Sequence, residues 1–450
     1  MNQIIKISTA LFLLVALASC KKYLDKKPAN NIDVPTDLED LQALLDNGRD
    51  INQNITPGFG EGASDDFFVL QQTYDILPIR DQDLYRWVPI EYKYPNDWSK
   101  NYLPVFVSNY CLELLQDISV NSKNRQLYEN VKGTSLFYRA YFFSQLAWTF
   151  ALAYDESTAD SDYGIVLRLG ADFNVPSTRS NIKETYEQIV KDAKESATYL
   201  PDLPEHTFRP SKAAAYGLLA RVYLTMRKYD SAFKYANLSL NIKNDLIDYK
   251  TDIDVNASAP FDQFNIETLF YTEMNSFTST TFTSRALVDT TLYASYTDND
   301  LRKLAYFNPK NGYFSFKGSY TGTSTPFTGI ATDEMYLIRA ECYARSGDKE
   351  NALKDLNTLL EKRYDATFTP VSAADAAEAL TIILLERRKE LYWRGLRFPD
   401  IKRLNKEGAN IVLVRMISGE TLTLPPNDNR YAIQIPRDIV DLTGIPQNPR

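Results

Sequence analysis

The chain has 450 residues, 44% of them apolar and 24% charged, an ordinary balance that excludes disorder, a collagen-like repeat and a multi-span membrane protein. A formal charge of −8 without a block of basic residues argues against nucleic acid, and a single histidine, His206, argues against histidine chemistry and a His-rich metal site. Aromatics are in excess at 13%, with 30 tyrosines, a residue whose hydroxyl needs a partner wherever the ring is buried.

Residues 1–20 read MNQIIKISTALFLLVALASC, with Lys6 ahead of an apolar run from Ile7 to Ala18. The run is short for a bilayer span and polar residues follow at once, so 1–19 reads as a secretory signal. Small residues before Cys20 resemble a bacterial lipobox, in which Cys20 carries the lipid; an ordinary signal peptide with an incidental cysteine is the alternative. Lipid would then be the only anchor, placing the chain at a membrane surface. Cys111 and Cys342 fall in helical patterns and read as free buried thiols.

Helices are predicted over 98–120, 134–153 and 181–200, the last with Asn181 as N-cap, Glu184 at capping-box spacing and a stop at Leu200 before Pro201. The strongest pattern is a helix-turn-helix repeat in 211–240 and 331–360. Tyr216, Ala220, Tyr223, Ala232 and Ala236 recur at the same spacings as Tyr336, Ala340, Tyr343, Ala352 and Leu356, which is the tetratricopeptide pattern. Small residues let the two helices approach, and Tyr223 and Tyr343 fill the groove one turn later. Residues 376–404 read as helical up to Gly395. Between the repeats, 246–330 is rich in Thr, Ser, Tyr and Phe and reads as irregular loops and short strands.

Several segments in order resemble the SusD/RagB family of outer-membrane nutrient-binding lipoproteins. They are Cys20, Leu24, Asp25 and Pro28; Trp98, Tyr102 and Asn109; Arg209 to Ala215 and Leu219 to Leu224; Glu334 to Glu341; Glu386, Arg387, Glu390, Gly395, Arg397 and Asp400 to Arg403; and Ile435, Pro436 and Asn448. Arg394 departs from the family's usual Glu, which would rewire one ion pair. The resemblance implies one domain over 20–450, dominated by α-helix. It would be a tetratricopeptide-like solenoid of about four helix pairs (98–240 and 331–404) with an irregular, aromatic-rich ligand face (246–330). It also implies outer-membrane, outward-facing placement beside a SusC-like TonB-dependent transporter.

No Ser/His/Asp set, Walker loop, GxGxxG or HExxH occurs, so no enzyme, cofactor or metal is expected. Asp298, Asn299 and Asp300 lack the rest of an EF-hand loop. Glu386 and Glu390 read as scaffold, tied with Arg387 and Arg397 in ion pairs. The binding expectation rests on rings outside the repeats. A ring face accepts sugar C–H bonds while polar groups take the hydroxyl edge. Pro89 and Pro95 put Tyr85, Trp87, Tyr92 and Tyr94 largely in loop, with Trp87 the first choice of platform; Trp98 matches the helix motif and reads as core. Tyr271, Phe277, Phe282, Tyr293, Tyr296 and Tyr306 are further candidates, and the resemblance adds Asp65 and Asp66 as polar contacts. The leading expectation is capture of an oligosaccharide without catalysis. A peptide-binding RagB-like carrier, a helical glycoside hydrolase and a bare tetratricopeptide scaffold are the alternatives.

Overall fold

A computed structural model describes residues 35–450; the signal segment and Cys20 lie outside the described residues. Ten helices of eight residues or more are found there: α1 Leu38–Leu45, α2 Asp97–Leu114, α3 Arg125–Phe150, α4 Ile182–Tyr199, α5 Lys212–Thr225, α6 Tyr229–Ile242, α7 Thr332–Arg345, α8 Lys349–Leu360, α9 Ala376–Glu390 and α10 Arg397–Asn405. From α2 to α9 each helix packs on the next in chain order, giving four helix pairs. None of the described helices is long and apolar enough to cross a membrane.

The helix starts follow local chemistry. Asn181 Oδ1 accepts from Glu184 N at 2.8 Å, and Glu184 Oε2 accepts from Asn181 N at 3.0 Å, closing the predicted capping box on α4. Asn96 and Ser99 do the same for α2. In the two repeats Ala220, Ala232, Ala340 and Ala352 are fully buried where helices touch. Tyr223 lies flat on Tyr235, 5.6 Å apart and 5° from parallel. Tyr343 is only half-buried, edge-on to Phe233 at 4.9 Å and packed at the margin of the core. α9 stops at Glu390, short of the predicted Gly395, because the chain turns through left-handed Trp393 (φ 60°) and Gly395 (φ 71°) before α10. Cys111 and Cys342 are free and buried.

Ten short strands pair two by two, all antiparallel: β1 Phe67–Phe68 with β5 Leu287–Val288, β2 Tyr163–Val166 with β3 Arg179–Asn181, β4 Thr268–Phe270 with β8 Ile330–Ala331, β6 Phe307–Lys310 with β7 Tyr313–Phe316, and β9 Leu413–Ile417 with β10 Glu420–Leu424. The β6–β7 hairpin turns on Asn311 and Gly312, both left-handed (φ 51° and 78°), as an Asn-Gly turn requires. Most of 246–330 therefore has no sheet or helix to satisfy its backbone. Its rings form a second core instead, with Tyr249, Phe261, Tyr271, Tyr296, Tyr306 and Tyr320 packed beside Tyr392 and Trp393.

Buried charge joins the two halves. Arg363, fully buried, donates to Glu390 at 2.6 Å, to Glu267 at 2.7 Å and to the Ile247 carbonyl at 2.7 Å. Arg302 binds Asp300, Glu386 and Glu390 at 2.7, 2.6 and 3.0 Å. Arg221 on α5 reaches Glu334 on α7 at 2.5 Å and the Gly329 carbonyl at 2.6 Å. Arg403 on α10 ties Asp400 and Glu341, each at 2.6 Å. Arg394 pairs with Asp333 at 2.7 Å and lies 4.1 Å from the Tyr320 ring centre. Glu386 and Glu390 are thus scaffold, and Asp300 is held by Arg302 in an ion pair.

Removing one partner strands the others away from water. Arg363→Met should therefore cost about 3–5 kcal/mol of unfolding free energy. Adding Glu267→Gln should recover part of that loss, both read as denaturant midpoints.

Candidate functional site

The loop 86–96 is stitched down at alternate points. Trp87 takes a left-handed backbone (φ 57°), and its Nε1 donates to the Ala63 carbonyl at 2.9 Å. Ile90 and Tyr92 are buried, the Tyr92 ring edge-on to Phe59 at 5.0 Å and its hydroxyl donating to the Gln434 carbonyl at 2.6 Å. Asn96 then caps α2. The residues between these anchors, Val88, Glu91, Lys93 and Tyr94, face solvent, and Tyr94 is 78% exposed.

That loop, the short helix Ile79–Tyr85 and the helix Arg437–Thr443 enclose an open cleft of about 580 Å³ with Tyr92 in its lining. Each wall carries both signs: Arg80 and Asp83 on the first helix, Glu91 and Lys93 on the loop, and Arg437, Asp438 and Asp441 on the second helix. Arg80 is braced by Asp81 at 2.9 Å and by the Phe277 carbonyl, which fixes the 275–281 loop beside the cleft. Asp81 also accepts from the Ser279 amide at 3.1 Å. Arg437 and Glu91 approach to 3.3 Å while both stay largely in water. Ile76 and Ile79 are 74% and 70% exposed on the same short segment.

The structure moves most of the expected ligand contacts indoors. Trp87, the expected platform, is 4% exposed in the main core, with the buried Arg415 guanidinium over its ring at 5.4 Å. Tyr271 is buried, its hydroxyl donating to Glu273 at 2.6 Å. Tyr296 donates to the Lys389 carbonyl at 2.9 Å and Tyr306 to the Glu390 carbonyl at 3.3 Å, both from the aromatic core. Tyr293 is half-buried and stacked on Phe314 at 3.6 Å. Asp65 accepts from Arg397 at 2.7 and 2.9 Å, and Asp66 accepts from Arg388 at 2.7 Å. The Arg397 guanidinium holds the Asp65 carboxyl far below the usual range despite its burial. Of the expected rings, Tyr92 lines the cleft and Tyr94, two residues on in the same loop, is exposed. Phe282 is 37% exposed and Phe277 half-buried on the neighbouring loop. The sequence reading missed the other wall altogether, the 437–443 helix, whose one advance signal was the Ile435 and Pro436 motif just before it.

The carboxylates with raised pKa lie inside the protein. Burial, reinforced by Asp66, pushes Glu61 up to about 8, although the Gly395 N–H donates to it at 3.0 Å. Burial raises Glu267 to about 7. Asp97 is raised to about 6 by burial, while accepting from the amides of Gly58 and Phe59 and from Asn275 at 2.8 Å each. Among the described residues no group of His, Cys, Asp and Glu is arranged to hold a metal ion.

A family profile described as "starch-binding associating with outer membrane" matches residues 22–224, and one described as "SusD family" matches residues 221–437. Among solved structures, a SusD superfamily protein from Bacteroides thetaiotaomicron is 21% identical, with a TM-score of 0.76 over 92% of this chain and 100% of that one. One from Bacteroides fragilis is also 21% identical, with a TM-score of 0.73 over 92% and 99%. Surface glycan-binding protein A from Bacteroides fluxus is 18% identical, with a TM-score of 0.69 over 92% and 100%. At such identities the likeness shows the fold. No curated protein matches the chain.

Two outcomes follow from this geometry. Trp87→Ala should destabilise the protein by about 3–5 kcal/mol, because it empties a core position; thermal unfolding checks this. Glu61 holds a proton in the folded chain that the unfolded chain releases near 4.5, so its contribution is complete below that pH and is lost as pH rises through about 8. Glu61→Gln should flatten this decline by at most about 1.4 kcal/mol per pH unit, read from urea midpoints between pH 5 and 8.

Proposed function

The chain belongs to the SusD/RagB family, and from that premise we propose that it is an outer-membrane surface lipoprotein, anchored through Cys20, that captures a nutrient oligosaccharide. It leaves the bonds of its cargo intact and hands it to a partner SusC-like TonB-dependent transporter. The observation that carries this reading is the cleft: open to solvent, walled by immobilised segments, and lined by Tyr92, Ile79 and charged side chains, with the exposed Tyr94 next along its loop wall. Such a site holds a polyhydroxylated chain through one ring face and several polar edges. It excludes little water, so its affinity should be modest, on the order of micromolar to millimolar.

A second reading is favoured by the charges themselves. Three cations and four anions line the cleft, with both signs on every wall, which suits the backbone and termini of a short peptide as well as sugar hydroxyls. The aromatic surplus does not choose between the two, since the described rings of 246–330 are largely core.

Titration against a panel of neutral oligosaccharides and short peptides, at low and high salt, separates the readings. Glycan binding should be nearly independent of salt, whereas peptide binding through exposed charges should weaken as salt rises. Tyr94→Ala should weaken glycan capture by about tenfold with unchanged melting temperature, as loss of an exposed anchor does. Unchanged affinity in that variant would remove the cleft from the reading, and release of shortened products would remove non-catalytic capture.

A further inference from the structure

One stripe of α2 carries Trp98, Tyr102, Phe106 and Asn109, at spacings of four, four and three residues that put them on one face. With Phe173 and Ile439 opposite, this stripe lines an apolar groove of about 240 Å³. It is separate from the charged cleft. The helix Arg437–Thr443 stands between them, turning Arg437, Asp438 and Asp441 to the cleft and Ile439 and Thr443 to the groove.

Two rings at the mouth of the groove remain in solvent. Phe173 is 79% exposed and Phe106 is 39% exposed, with ring centres 6.2 Å apart and planes 34° from parallel. Tyr110 backs Phe106 in a parallel stack at 6.2 Å. Exposed rings gathered around a concavity mark a binding site rather than scattered surface residues.

The charge around the groove is one-sided. Arg168 is the one charged residue in its lining. Its guanidinium donates to the carbonyls of Val175 and Asp172, at 2.6 Å each, which fix it without neutralising it. Arg179 behind it is likewise held by the carbonyls of Gly164 and Pro446, at 2.6 and 3.0 Å, and lies against the Tyr163 ring. Both guanidiniums act on the Tyr102 hydroxyl, lowering a pKa that burial raises. Of the flanking carboxylates, Glu113 accepts from the Ala171 amide and Asp172 from the Asn174 amide, at 2.8 Å each.

The dimensions choose the occupant. An apolar cavity of about 150 Å³ takes one benzene, so this groove has room for one substituted ring. We propose that the groove beside α2 binds a small aromatic carboxylate, its ring packed against Phe106 and Phe173 and its carboxylate against Arg168. The Ser177 and Thr443 side chains in the same lining can accept or donate to a ring hydroxyl.

Calorimetric titration of the mature chain with 4-hydroxycinnamate, its methyl ester and octanoate tests this. The acid should bind saturably, the neutral ester and the aliphatic acid each at least about fivefold more weakly, and Phe173→Ala should weaken the acid by about tenfold. Phe173 is so exposed that this variant should keep its melting temperature; Phe106→Ala gives a second reading on the same ring pair. Tyr94→Ala, on the loop that walls the cleft, should leave binding of the acid unchanged, so failure here is distinct from failure of the cleft. No saturation with any probe, equal binding of ester or octanoate, loss in Tyr94→Ala, or no loss in both phenylalanine variants would overturn the proposal.

Discussion

The structure depends on how an irregular stretch of backbone is made tolerable inside a folded protein. A buried carbonyl needs a donor, and a segment without long strands or helices lacks the usual ones. Here charged side chains supply them. Arg363 reaches the Ile247 carbonyl, Arg221 that of Gly329, Lys317 those of Val255 and Ala257, and Arg415 those of Ser64 and Phe67. The three arginines, taken from water, also find an anion or an aromatic face, which Glu390, Glu334 and the Tyr85 ring provide. Such pairs add little stability over a well-packed apolar core. Their effect is positional: the guanidinium's fixed fork sets where a loop carbonyl and a helix carboxylate stand relative to each other.

The same need explains the aromatic surplus. A tyrosine fills core volume and also offers one donor at its far end. Tyr296 and Tyr306 donate to the carbonyls of Lys389 and Glu390, Tyr141 to that of Thr328, Tyr102 to that of Val166 and Tyr92 to that of Gln434. These rings are core filler and backbone donors at once. Composition alone reads such residues as spare, because it counts rings without seeing what their hydroxyls reach.

The helical half was legible because its signals are local. The Asn181 and Glu184 box, the alanines of the two repeats and the Asn96 start of α2 each lie within a turn or two of what they control. The end of α9 was hidden, since the residue that receives the Gly395 amide is Glu61, far away in the sequence. Trp87 was misread for a related reason. Flanking prolines announce a loop but not which of its residues are anchors, and the Ala63 carbonyl that holds Trp87 and the Phe59 ring that meets Tyr92 lie on another segment. The cleft was half-legible in the same way. Its loop wall stood out in the sequence, while its other wall, the 437–443 helix, arrives from the far end of the chain.

The placement of titratable groups separates scaffold from surface. Carboxylates with raised pKa, Glu61, Glu267 and Asp97, are enclosed and bonded to backbone amides, tyrosine, asparagine or arginine. The charges that line the cleft stand at its surface, and the Arg437–Glu91 pair remains in water. An exposed pair is worth at most about 1 kcal/mol, so an incoming polar ligand can displace it at small cost, and it can re-form on release. A wall held by buried Trp87 and Tyr92 with loosely paired charges at its rim is suited to hold cargo briefly and let it go intact. Preorganisation then comes from the core, and reversibility from leaving the rim hydrated.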